Sequence, residues 1–340
     1  MSRLTRARRG TATAGSGRAP RTHCRLPERG ATTPQRPRRA VLACSIVAAL
    51  LLTLIGALPA GAAPPDRLIV FDSDRGGQVD LWTMRSDGTG LARLTNDKVP
   101  DELAEWSPNR KQLAWTRGGE ESPTGEIWVM NADGSGRRQV TSNSFSDTAV
   151  AWSPDGRQLA YRSDRDGNFD IYVINVDGTN ERRLTTDTAT DWLPDWSPDG
   201  TRITFTRTEL SGASAVYTMS ATDGSDVRQL TDDSLFAGLS VYSPDGSRIA
   251  FADGFCETCG ENDVWVMNAD GGGLRQVTNT ADRELPRSWS PDGTRLAADF
   301  VGMKAPGERS DIAVVTVATG ATVNLTNTNG VVDRGPDWQP

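Results

Sequence analysis

The residues able to do chemistry in this chain are almost all carboxylates. The single histidine, His23, lies in an arginine-rich N-terminal stretch, so the rest of the chain cannot build a Ser-His-Asp or Cys-His nucleophile system. The same absence rules out any His-ligated zinc, iron or copper site there. Lysine beyond that stretch is limited to Lys98, Lys111 and Lys304, all in expected loops or turns, which argues against a Ser-Lys pair. Acids remain, and five recur in one place. Asp101, Asp147, Asp191, Glu284 and Asp333 each stand five residues before an aromatic residue, and Ala237 breaks the series. Such a series has two readings: each carboxylate caps its own loop through backbone N–H groups, or the five form a ring around a mouth that holds a cation or a basic peptide. The first is favoured, because a feature tied to a repeat is usually structural. Two acids flanking a bond could also hydrolyse a glycoside, but acids are too many here for the sequence to nominate a pair.

Other candidates are weaker. Asp164-Arg165-Asp166-Gly167-Asn168-Phe169-Asp170 spaces oxygens at alternate positions as calcium loops do, yet its glycine falls fourth rather than sixth and no glutamate closes it. A polar turn is the better reading, and no metal site or cofactor is expected. Cys256 and Cys259 have no second ligand pair for zinc, and in an oxidising compartment they are expected to form a local disulfide. Closing so small a loop contributes roughly 2 kcal/mol. Trp192, outside every repeated aromatic series, is the aromatic expected to touch a ligand.

These residues are positioned by a repeat. Trp106, Trp152, Trp196, Tyr242, Trp289 and Trp338 recur in Trp-Ser-Pro-Asp-Gly or close variants. An Asp-Gly pair begins at Asp87, Asp133, Asp177, Asp223 and Asp270, with Thr319-Gly320 in the sixth place, and a Leu/Val-Thr pair follows each. Three markers on one period define six repeats. Within one of them, Gln158-Leu159-Ala160-Tyr161 alternates as a half-buried strand and Asp170-Ile171-Tyr172-Val173-Ile174-Asn175 reads as a central one. Asp177-Gly178 makes the hairpin, Arg182-Arg183-Leu184-Thr185 is a charged edge, and Val150-Ala151-Trp152 is a further strand. No apolar period suits a helix. Four short antiparallel strands per repeat predict a blade, and six blades predict an all-β, six-bladed β-propeller. The first blade lacks the aromatic strand, so the C-terminal strand around Trp338 should complete it and close the ring.

The pattern Ser-Pro-Asp-Gly, Ser-x-Arg-x-Gly, Asp-Gly and Leu-Thr resembles the TolB-like (WD40-like) β-propeller repeat over residues 67–340. That resemblance implies the propeller alone, without the α/β domain that precedes it in TolB or the catalytic domain of related hydrolases. It is specific for fold far more than for function.

Charge bounds the partners. Residues 1–62 carry eleven arginines against Glu28, which leaves the remainder at −17 within a whole-chain charge of −7. So acidic a body is a poor ligand for nucleic acid and suits a cationic partner or none that is charged. Residues 1–62 read as an Arg-rich n-region with a signal peptide or signal anchor, with an Ala60-Gly61-Ala62 cleavage site after the apolar run 41–58. Residues 63–340 then form the propeller outside the cytoplasm: secreted, periplasmic or cell-envelope associated. Membrane contact would come only through an uncleaved anchor. With strands lettered A (the aromatic strand) to D, the A–B and C–D turns share one end of the ring. The irregular B–C and D–A connections share the other, and that end should recognise the ligand. The expectation is a monomeric, non-catalytic binding or scaffold module for a protein or envelope polymer. The competing expectation is a carboxylate-dependent glycan hydrolase with its site at the tunnel mouth.

Overall fold

The structure is a computed structural model that describes residues 67–120, 122–254, 261–302 and 310–340. Cys256 and Cys259 lie outside the described residues. Six four-stranded antiparallel sheets make six blades, each built in the order A-B-C-D. In blade 1 strand A is the C-terminal Asp333–Trp338, followed in space by B, Leu68–Ser73, and C, Asp80–Arg85. Ile69 pairs with Trp338 and Ser73 with Asp333, so the two ends of the domain close one sheet. Strands A of blades 2 to 6 are Asp101–Trp106, Asp147–Trp152, Thr190–Trp196, Gly238–Tyr242 and Arg283–Trp289. Helical structure among the described residues is limited to one 3-10 turn, Asp233–Leu235.

The core lies between blades. One cluster joins Ile127 and Val129 of blade 2 to Trp152, Tyr161 and Tyr172 of blade 3. The closing cluster joins Ile312 and Val314 of blade 6 to Phe71, Met84 and Trp338 of blade 1. The strand A and strand C aromatics thus serve blade-to-blade packing, as their locking to the repeat implies. Trp115, which stands outside the repeated strand A series, is fully buried on strand B and donates Nε1–H to Asp101 Oδ1 at 2.7 Å.

The C–D turns need glycine for two reasons. Gly224 has φ 74°, and a Cβ there would lie 2.0 Å from the carbonyl oxygen of Leu184 in the preceding blade. The turn therefore tucks under its neighbour, where only a residue without Cβ fits.

Strand boundaries differ from expectation at strand A. It begins at the acid, three residues before the expected start in blade 3, because the alternation that signals a strand is interrupted. The pairing register shifts between Thr148 and Ala151, and Ala149 takes φ 56°. A bulge of this kind hides the strand's first half from a period-two pattern. Trp192, which the spacing puts in the D–A connection before blade 4, consequently lies on strand A of that blade.

Candidate functional site

The strands A line the axis, and their bulges shape the tunnel. Leu103, Ala149, Leu193 and Leu239 have φ between 51° and 58°, and Gly335 has φ 59°. Four of these bulged N–H groups are held by a side chain from strand B of the preceding blade. Leu103 donates to Asp72 Oδ1 at 3.2 Å, Ala149 to Thr116 Oγ1 at 3.2 Å, Leu239 to Thr206 Oγ1 at 3.1 Å and Gly335 to Asp299 Oδ1 at 2.8 Å.

One turn further along, the residue before the aromatic accepts from the next blade. Glu105 receives Trp152 N–H, Asp195 receives Tyr242 N–H and Asp337 receives Trp106 N–H, each at 2.7 Å, and Ser288 receives Trp338 N–H at 2.9 Å. Burial pushes Asp195 and Asp337 up to about 7. Glu105 is likewise raised well above the usual glutamate range, by burial and by the charges of Asp337 and Asp195. A carboxylate surrounded by apolar wall and facing like charges holds its proton.

The tunnel has three parts. Its middle, about 100 Å³, is lined by all six strands A, including Leu103, Leu193 and Leu239. The mouth at the A–B turns, about 410 Å³, contains Glu105, Asp195 and Asp337. The mouth at the B–C and D–A connections is the larger, about 680 Å³, and is lined by Trp192, Glu120, Arg283, Arg287, Asp299 and Arg334 among others.

The five repeated carboxylates are fully buried, and none of them lines this mouth. Four are clamped by an arginine of the same blade. Asp333 takes both bonds from Arg75 Nη2 at 2.7 Å, Asp191 accepts from Arg207 Nε and Nη2 at 2.7 Å, and Asp147 and Asp101 lie 2.9 Å from Arg165 and Arg117. Each arginine also stands over the strand C aromatic, at 5.3 Å from Trp82, 5.3 Å from Trp128, 4.5 Å from Tyr172 and 5.1 Å from Tyr217. Glu284 has no arginine there and accepts from Thr280 Oγ1 at 3.0 Å, while burial lifts it to about 7. Burial lifts Asp191 to about 6 and raises Asp101 as well, against the pull of their arginines.

Trp192 does line the mouth. It is half-buried, its Nε1 donates to Thr208 Oγ1 at 3.2 Å, and the Arg162 guanidinium lies 5.7 Å from its ring. The arginines of the mouth escaped the sequence reading. Arg287 is bonded to Asp299 at 2.8 Å, and Glu120 to Arg162 at 3.0 Å. A signal for the position of Arg334 existed in the repeat. The residue directly after the acid position is Arg334, Glu102, Thr148, Trp192, Gly238 and Leu285 in the six blades, so it varies where its neighbour does not. Strand alternation turns the acid into the blade and this next residue toward the axis.

Comparison with known proteins agrees with this architecture. The sequence matches the family model described as the TolB beta propeller domain over residues 103–340. No curated protein matches it. Among solved structures it resembles TolB from Acinetobacter baumannii with a TM-score of 0.67 at 21% identity, covering 81% of this chain and 67% of that one. A putative TolB from Agrobacterium tumefaciens gives a TM-score of 0.60 at 19% identity, covering 78% of this chain and 89% of that one. A chain of the nidogen/laminin complex gives 0.62 at 14% identity, covering 81% and 98%. Such identities speak for the fold alone. With six closed blades and a family match over most of its propeller, the chain belongs to the TolB beta propeller domain family.

Proposed function

We propose that this protein is an exported, non-catalytic binding or scaffold module that recognises a protein or envelope ligand at the mouth formed by its B–C and D–A connections. One observation carries the reading: the larger mouth, about 680 Å³, is lined by residues that differ from blade to blade, with half-buried Trp192 among them. Rigid scaffolds present ligands with variable connections, and cavities of this size suit them. The similarity to TolB structures is a fold-level analogy that supports a protein partner outside the cytoplasm, as does the signal-like segment of residues 1–62.

The repeated carboxylates do not set the charge of the ligand, because four of the five are clamped by half-buried arginines. The carboxylates of the opposite mouth, Glu105, Asp195 and Asp337, each hold an N–H of the neighbouring blade. We assign them to ring closure rather than to glycan hydrolysis.

The test is affinity capture from envelope extract with the domain and two sets of variants. Trp192→Ala and Leu285→Ala alter the mouth; Asp177→Asn and Asp245→Asn alter hairpin turns at the other end. Capture should fall for the mouth set in folded protein and persist for the hairpin set. Loss confined to the hairpin set would place recognition at the wrong end.

A further inference from the structure

Among the described residues Arg283, Arg287 and Arg334 line the larger mouth and Arg162 stands over its Trp192, and two of these four are committed. Arg287 is held by Asp299 and Arg162 by Glu120. The other two are not matched in this way. Arg283 makes one bond, from Nε to the neutral Asn262 Oδ1 at 2.6 Å, and no carboxylate among the described residues pairs with it. Arg334 is 46% exposed and reaches carboxylates only at 3.8 Å, on Asp72, and at 4.0 Å, on Glu102. Burial pushes Asp72 up to about 8 against the pull of Arg334, which weakens the charge it offers that guanidinium. Glu102 accepts the Glu120 N–H through Oε2 at 2.8 Å and turns only Oε1 to Arg334.

The acids of the cavity are engaged elsewhere. Asp74 accepts Val332 N–H at 2.9 Å, and Asp299 accepts Gly335 N–H in addition to its arginine. Both guanidinium groups therefore keep donors directed to no acceptor among the described residues, in a cavity whose walls include Leu193, Leu239 and Leu285. Low-polarity walls strengthen any charge interaction made there. A planar guanidinium with spare donors is suited to bidentate capture of a carboxylate.

The placement also bears on the shape of the ligand. Arg283 and Arg334 stand on strands A of blades 6 and 1, and Trp192 stands on strand A of blade 4. In a ring of six, blades 1 and 4 face each other across the axis. We propose that Arg283 and Arg334 form a carboxylate-recognition site at the mouth, and that its ligand is an extended acidic peptide segment of a partner protein, lying across the opening with an apolar or aromatic residue against Trp192. This inference rests on the reading of the mouth as the binding face.

The test uses the purified domain against a phage-displayed library of random peptides about twelve residues long. Peptides recovered should be enriched in Asp or Glu together with an aromatic or large apolar residue. Synthetic copies should bind roughly tenfold or more weakly to Arg283→Gln and Arg334→Gln, since a charge-assisted pair is lost. Replacing their acids by amides should produce the same loss in the parent domain and little further loss in the Arg283→Gln/Arg334→Gln double variant. Thermal unfolding of each variant checks that the fold is intact, and if either single variant fails to fold, Arg→Lys at that position takes its place. Enrichment without acids, or acidic peptides unaffected by both substitutions yet sensitive to Trp192→Ala, would overturn the carboxylate site while leaving the binding face standing. Peptides insensitive to all three substitutions, or none recovered, would overturn both.

Discussion

At the scale of single residues, the same side-chain type does opposite work according to depth. Asp191 and Asp195 are four residues apart on one strand, yet the first is neutralised by Arg207 and the second meets only backbone N–H groups in the tunnel wall. Removing one partner of a buried ion pair leaves the other under-compensated, and Arg207 would keep only the more exposed Asp187. Asp191→Asn should therefore destabilise the domain by about 1–3 kcal/mol at pH 8, read as a lower urea midpoint. Asp195→Asn should do the reverse at that pH, because the amide oxygen can still accept the Tyr242 N–H without carrying charge. The pH dependence follows. Asp195, Asp337 and Glu284 hold their protons to about pH 7 when folded, whereas unfolded carboxyl groups release them near pH 4. Between those values the folded state binds more protons, so stability falls as pH rises. This contribution is complete below about pH 4 and is lost as pH passes 7. The urea midpoint of the parent domain should drop between pH 5 and pH 8, and the Asp195→Asn/Asp337→Asn double variant should flatten that drop. An equal or steeper drop in the variant would show that these two carboxyls ionise near their ordinary values.

At the scale of elements, the turns are defined by contact between blades as much as by their own conformation. Gly224 and Gly167 both have positive φ, 74° and 101°, but a Cβ at Gly167 meets nothing within 4 Å, whereas at Gly224 it collides with Leu184 O. Gly167→Ala should cost about 1 kcal/mol, the strain of an L-residue in that region. Gly224→Ala should cost distinctly more, on the order of 2–4 kcal/mol, because the blade-to-blade approach must open. Comparable melting temperatures for the two would mean the close approach is relaxed at little cost. The elements also explain which parts of the site were legible. The acid series and the Trp-Ser-Pro-Asp-Gly turns repeat, so they stand out at once, and the structure gives them internal duties. Trp192 stood out because it broke the pattern, and it does reach the mouth. Arg283 and Arg334 were hidden in segments read as irregular loop, since the bulge that begins strand A erases the alternation that would have marked them as strand residues facing the axis.

At the scale of the whole molecule, closure concentrates stability in a few residues far apart in the chain. Trp338 is 3% exposed, packs on Phe71 and Met84 of blade 1 and on Ile312 of blade 6, and its N–H is held by Ser288. Trp338→Ala should cost about 3–5 kcal/mol. Deleting residues 334–340 should lower the cooperative unfolding transition of the entire domain, because strand B of blade 1 and the adjoining face of blade 6 lose their cover together. A truncated domain that melts with the parent would show the ring to be held without this strand. The ring itself was determined by the sequence. Three in-phase markers, each recurring six times, specify six blades, strand parity sorts the connections to two ends, and the missing strand of blade 1 predicts which segment completes it. These are local or periodic properties, and a repeat prints them many times over. What only the tertiary structure decided is which charges remain for a ligand. A carboxylate's effective charge depends on the arginine that reaches it from another strand and on the wall that buries it. Neither is a property of spacing along the chain, so the same acidic sequence folds into a body whose larger mouth is lined by Arg283, Arg287 and Arg334 beside Asp74, Glu120 and Asp299.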